Sequence, residues 1–120
     1  MKEEQSQYQA LIKLLLPEEI FEYFKMINLE VIDSEIHAYL EEENNPPEEY
    51  KLEKLTSKGF HSSITIQDFP IRDKPLYLHV KRRRWQIESS GEVISRDWDT
   101  VAKGTRLTKD FATFLKGILG

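Results

Sequence analysis

Residues 74–87 read KPLYLHVKRRRWQI, and their alternation dictates an extended chain. Leu76, Leu78 and Val80 fall on one face, with Tyr77, His79, Lys81, Arg83 and Trp85 on the other, the period-two signature of a half-buried strand. The same strand carries four consecutive cations, Lys81 to Arg84. In an extended chain Lys81 and Arg83 point one way, and Arg82 and Arg84 the other. All four cannot occupy one wet face without a strand end, a bulge or a hairpin tip. Two readings meet that condition: an edge strand protected by cations, or a two-stranded ribbon offered to a polyanion. Trp85 then either joins the core or packs over a phosphate-bound sugar, and its residue type favours the core.

The charge distribution bears on that choice. Residues 1–53 hold 14 Asp and Glu against 4 Lys and Arg, whereas residues 54–120 hold 7 against 13. The net charge of −4 therefore hides an acidic half and a basic half. Such asymmetry points to nucleic-acid contact by the basic part, or to attraction between the halves of one fold. At 120 residues the chain suits one domain, assigned to residues 1–120. Zero cysteines exclude disulfides and cysteine-based zinc sites. No apolar run approaches the roughly 20 residues that span a bilayer. The start, MKEEQSQYQ, lacks the pattern of a signal peptide. A soluble, cytoplasmic protein without membrane contact is expected.

The remaining segments predict an α+β fold. Tyr8, Leu11, Leu14 and Leu15 recur at helical spacing and read as a core stripe. Pro17 suits the first turn of a second short helix carrying Ile20, Tyr23 and Phe24. Ile27, Leu29 and Val31 alternate with polar neighbours, Asp33–Ser34 makes a tight turn, and Ile36, Ala38 and Leu40 alternate in a returning strand. Residues 44–58 read as a loop, separating a helical and hairpin part (1–45) from a basic ribbon and C-terminal helix (59–120). Ile64 and Ile66 mark another strand, Ser89–Gly91 a turn, and EVISRDW a returning strand. Leu107, Phe111, Phe114, Leu115 and Ile118 line an amphipathic helix with Thr108 as its N-cap. The expected architecture is two short N-terminal helices, an antiparallel sheet of about five strands and the C-terminal helix.

Catalysis needs converging groups, and no spacing suggests them. Glu41, Glu42 and Glu43 read as a solvated strand end. His37, His61 and His79 sit on three segments without metal-ligand spacing, so no metal and no cofactor are expected. Gly91 and Gly104 are isolated glycines rather than a phosphate loop. The chain is not expected to be an enzyme by itself.

Several motifs occur in a telling order. Asp68-Phe69-Pro70, Lys74-Pro75-Leu76, Arg82-Arg83-Arg84-Trp85 and Thr105-Arg106-Leu107-Thr108 lie within IQDFPIRDKPLYLHVKRRRW and RDWDTVAKGTRLTKDFATFL. This series resembles the N-terminal region of ISAon-type bacterial insertion-sequence transposases, whose first domain is a zinc ribbon. The likeness covers residues 17–120. Where that family carries its second cysteine pair this chain has Ile87 and Ser90, and the first pair would fall near residues 45–50. The resemblance thus implies a degenerate, zinc-ribbon-like hairpin without zinc, with Ile87 filling the vacated space. It implies binding to duplex DNA at the element's terminal inverted repeats. Lys81, Arg82, Arg83 and Arg84 would contact phosphate, with His79, Arg96, Lys103 and Arg106 as secondary contacts. It also implies a catalytic transposase subunit or downstream domain as partner, holding the acidic triad; oligomerisation is left open. Two alternatives stand beside it: a protein-interaction module that docks the catalytic subunit through the acids near Glu41–Glu43, or a relic domain without activity.

Overall fold

The computed structural model describes residues 2–104 and 108–120, with side chains from residue 7 onward. Helix α1 (Lys2–Leu15) is followed by the single turn α2 (Ile20–Tyr23), which Pro17 opens by accepting from the Ile20 N–H at 3.1 Å. The expected stripe on α1 is corrected. Ile12 and Leu16 are buried, while Leu11, Leu14 and Leu15 lie exposed, Leu14 by 82%. Five of the six residues from Leu11 to Leu16 are apolar, so spacing alone leaves two faces open. The face that docks is the one in line with Ile20, which is fully buried.

Two hairpins organise the main sheet. β1 (Phe24–Ile32) turns into β2 (Glu35–Glu42), and β4 (Ile64–Ile71) turns into β5 (Lys74–Lys81). Each uses a two-residue turn in left-handed conformation: Asp33 and Ser34 at φ 49° and 65°, then Arg72 and Asp73 at the same values. That backbone matches the natural twist of the flanking strands. The strand order is β1-β2-β5-β4. β2 runs parallel to β5, from Ile36 opposite Leu76 to Glu41 opposite Lys81. The sheet is therefore mixed rather than antiparallel.

A second sheet, antiparallel in the order β3-β6-β7, comprises β3 (Leu55–Phe60), β6 (Arg83–Ile87) and β7 (Val93–Ser95). Seven strands thus replace the expected five or so, and part of the expected loop at 44–58 is a 3-10 turn (Glu48–Tyr50) and the start of β3. Only Arg82 separates β5 from β6, and only His61–Ser63 separate β3 from β4. The basic segment is one long ribbon that changes sheets at Arg82, where the His61 N–H donates to the Arg82 carbonyl at 2.8 Å.

Helices cover one face of the main sheet. α4 (Lys109–Leu119) buries Phe111, Phe114, Leu115 and Ile118 as its periodicity predicts; Leu107 lies outside the described residues. Thr108 Oγ1 accepts from the Phe111 N–H at 3.2 Å, the expected cap. α4 approaches β4 so closely at Gly117 that a Cβ there would sit 2.7 Å from Ile66 Cγ1. The segment after β7 ends as a strand at Ser95 because Asp97 caps α3 (Trp98–Gly104), accepting from the Asp99 and Thr100 N–H groups. Those bonds, from Thr100 foremost, hold the Asp97 carboxyl below its ordinary value. A small second core holds Trp85, Ile87 and Ile94 with Tyr50 and Leu55. Trp85 is fully buried, as its residue type favours.

Candidate nucleic-acid interface

Strand alternation and the change of sheet divide the four cations between inside and outside. Arg83 turns inward. Its N–H donates to Glu42 Oε1 and its Nε to the Glu42 carbonyl, both at 3.0 Å. Its Nη1 donates to Ser57 Oγ at 2.6 Å, and the guanidinium lies over Phe60, 4.6 Å from the ring centre. Arg96 meets the same carboxylate, with Nε donating to Glu42 Oε2 at 2.9 Å and Nη2 to the Asn45 carbonyl. It packs among Tyr23, Trp85 and Trp98. Glu42 has no exposed surface. Far from being a solvated strand end, it is the buried centre of a clamp between the two sheets. Burial pushes its carboxyl up from the ordinary value, against the pull of the Arg83 N–H and of Arg96.

Arg82 and Arg84 take the other phase. Arg84 Nη2 donates to the Lys58 carbonyl at 3.2 Å, and the Nε atoms of both arginines are buried without a hydrogen-bond partner. Their charges, after burial itself, push the His61 imidazole below its usual range. His61 Nε2 lies 2.6 Å from Ser95 Oγ, and Ser95 stands opposite Arg84 in the sheet. Lys58 is exposed beside them. Lys58, Arg82, Arg84, His61 and Ser95 thus form one cationic, donor-rich patch. Sequence reasoning does not single out Lys58, His61 or Ser95, because only the pairing of β3 and β7 onto β6 gathers them.

The other candidates scatter. Lys81 ends β5, exposed and opposite Glu41. Lys103 is exposed in the last turn of α3. Arg106 lies outside the described residues. His79 sits on the open face of the main sheet, in a cluster that the parallel β2–β5 pairing creates. Tyr39 stacks on His79 and Tyr77 on His37, with ring centres 4.6 and 5.2 Å apart. His37 Nδ1 and His79 Nε2 are 2.8 Å apart. Burial, then His37, holds the His79 imidazole below its ordinary value, against Glu30. These histidines are 42 residues apart in the chain, so their meeting has no local signal.

A cleft of about 380 Å³ lies beside the clamp, lined by Tyr23, Glu48, Glu49, Arg96 and Asp97 among others. Three carboxylates against one committed guanidinium make it a poor phosphate site. Among the described residues no group of three or more His, Asp or Glu side chains is arranged to hold a metal ion, and no helix is long and apolar enough to cross a membrane. Comparison of the chain with protein-family models, with curated proteins and with solved structures yields no match.

Proposed function

We propose that this domain is the DNA-binding N-terminal region of an ISAon-type transposase. It grips duplex DNA at the element's terminal inverted repeats through the backbone and leaves the chemistry to a catalytic partner. The observation that carries the reading is the patch of Lys58, Arg82 and Arg84. Lys58 is exposed, Arg82 and Arg84 are half-buried, and both guanidinium charges act on His61; phosphate oxygens are natural acceptors for such cationic donors. The ordered motifs from Asp68 to Thr108 add the family context. Phosphate contacts of this kind position a domain rather than read bases.

The test is a salt-titrated binding assay with terminal-repeat and unrelated duplexes. For every phosphate that a cation no longer neutralises, the log–log salt slope falls in magnitude by about 0.9. Replacing Arg82 and Arg84 by Ala is expected to weaken binding to both duplexes and to flatten the slope by roughly 2. Absence of wild-type binding even at low salt would refute the proposal. That outcome favours the docking-module reading, which the exposed Leu11, Leu14 and Leu15 of α1 support. The version of that reading built on Glu41–Glu43 loses its central residue, because Glu42 is buried.

A further inference from the structure

Helix α1 is apolar on two faces, and its own fold covers only one of them. Ile12 and Leu16 are buried in the core. Tyr8, Leu11, Leu14 and Leu15 stay outside, and near them stand Val31 of β1 and Phe69 of β4, all six at least 51% exposed. Helix and sheet border a groove of about 220 Å³, lined by Tyr8, Leu11, Leu15, Val31 and Ile71 among others, with no charged residue in its wall. Leu15 and Ile71 join it to a neighbouring cleft that reaches Phe69. The groove is smaller than the roughly 300–1,000 Å³ of ligand pockets, so it suits side chains rather than a small molecule. A helix that is apolar around most of its surface normally lies buried.

Area and symmetry both point to a second copy of this chain as the cover. At roughly 120 Å² for a whole aliphatic side chain and 200 Å² for an aromatic one, the six leave about 500 Å² of apolar surface. A standard interface takes about 800 Å² from each partner, and homodimers make about 65% of it apolar. The two figures agree. The stripe also matches itself, as a two-fold interface requires. Tyr8 precedes Leu11 by three residues and Leu14 follows it by three. Two α1 helices crossing antiparallel about an axis at Leu11 therefore set each Leu14, the most exposed of the six, against Tyr8 of the other copy. Lys13, the one charged residue between 7 and 16, falls opposite Gln9 of the second copy, so no like charges meet. Val31 and Ile71, next to the two hairpin turns, place this surface at the start of β5. Arg82 follows the other end of that strand, about 26 Å away. Both basic patches thus stay clear of the interface.

We infer that this chain forms a two-fold homodimer through the outer face of α1, with Leu11 of each copy on the axis and Leu14 packed on Tyr8. The dimer stands apart from the DNA-binding reading and holds whether or not the basic patch meets phosphate. Sedimentation of the whole chain from about 1 to 200 µM is expected to show its 14.2 kDa mass doubling, with a midpoint on the order of micromolar. Leu14→Glu places a charge in the seam and should raise the dissociation constant at least about tenfold. Because Leu14 is exposed in the single copy, the thermal midpoint of the variant in dilute solution should match that of the wild type. The chain contains no cysteine, so introduced thiols read the register directly. Under mild oxidation Leu11→Cys should give a disulfide-linked dimer, and so should the double variant Tyr8→Cys/Leu14→Cys. Leu14→Cys alone should not, since the two Leu14 positions lie about 9 Å apart along the helices, beyond the roughly 7 Å that a disulfide spans. Lys103→Cys, in the exposed last turn of α3, is the control that should stay uncrosslinked. A single-chain mass throughout the range overturns the dimer and leaves the face to a different protein. A dimer that Leu14→Glu does not weaken, or Leu14→Cys crosslinking as readily as Leu11→Cys, overturns the interface as stated.

Discussion

Replacing Glu42 by Ala tests whether the clamp holds the two sheets together. The carboxylate is fully buried and accepts from the Arg83 N–H at 3.0 Å and from Arg96 Nε at 2.9 Å. Truncation leaves the Arg96 guanidinium facing a void among Tyr23, Trp85 and Trp98, and leaves a buried N–H without its acceptor. Removing one partner of a buried pair typically costs about 3–5 kcal/mol. For a domain of this length that corresponds to a fall in Tm of roughly 12–20 °C. Glu42→Gln keeps the shape and one acceptor, so a smaller loss of about 1.5–3 kcal/mol is expected, the worth of a charge-assisted hydrogen bond. Urea denaturation followed by tryptophan fluorescence measures both, since Trp85 and Trp98 flank the clamp.

The pH dependence supplies an independent check. Burial raises the Glu42 carboxyl in the folded state, so the folded form binds the proton more tightly than the unfolded one. This contribution to stability is present below the ordinary carboxylate range and is lost as pH rises through the raised folded value. Glu42→Ala should lack that decline. A loss below about 1 kcal/mol for Glu42→Ala, within the range of ordinary surface changes, would refute the clamp.

Two further expectations concern packing. Phe114→Ala should cost about 3–5 kcal/mol in the same assay, since the ring is buried and meets Phe24 edge-on at 5.7 Å; a loss below about 1 kcal/mol would make α4 peripheral. Gly117→Ala should destabilise by about 1–3 kcal/mol, because the new methyl would lie within 3 Å of three carbons of the buried, stiff Ile66 side chain. A neutral or stabilising result would mean that α4 sits further from β4 than described.

Local pattern made much of this fold legible. The 3.6-residue period and Thr108 announce α4, the polar pair Asp33–Ser34 announces a hairpin, and alternation places Leu76, Leu78 and Val80 inside. The parallel pairing of β2 with β5 has no such signal, since neither strand's own residues name its neighbour; the histidine pair stayed hidden with it. Glu42 was readable in principle. It continues the inward phase of Ile36, Ala38 and Leu40, and a carboxylate in that phase demands a buried cationic partner. Membership of an acidic run masked that demand. On α1 the fault lay in abundance: a nearly continuous apolar stretch contains more than one stripe, and only the sheet chooses.

The density of charge from Lys81 to Arg84 follows from two demands on adjacent residues. Arg83 serves the clamp, where one planar guanidinium reaches the Glu42 carbonyl, Ser57 Oγ and the face of Phe60 together. Arg82 and Arg84, one residue to either side, fall in the opposite phase and stay half-exposed at the surface. A lysine ammonium is a point charge that satisfies a phosphate but cannot span three separated partners. The same conservative change therefore separates the roles. Arg83→Lys is expected to lower stability by about 1–3 kcal/mol, the penalty for buried acceptors left unmatched, and to leave the salt slope of DNA binding within about half a unit. Arg82→Lys with Arg84→Lys should do the reverse, keeping stability within about 0.5 kcal/mol, as surface changes do, and retaining most of the slope that the double alanine variant loses. If Arg83→Lys flattens the slope while the outer pair governs stability, the division of the run between clamp and interface is wrong.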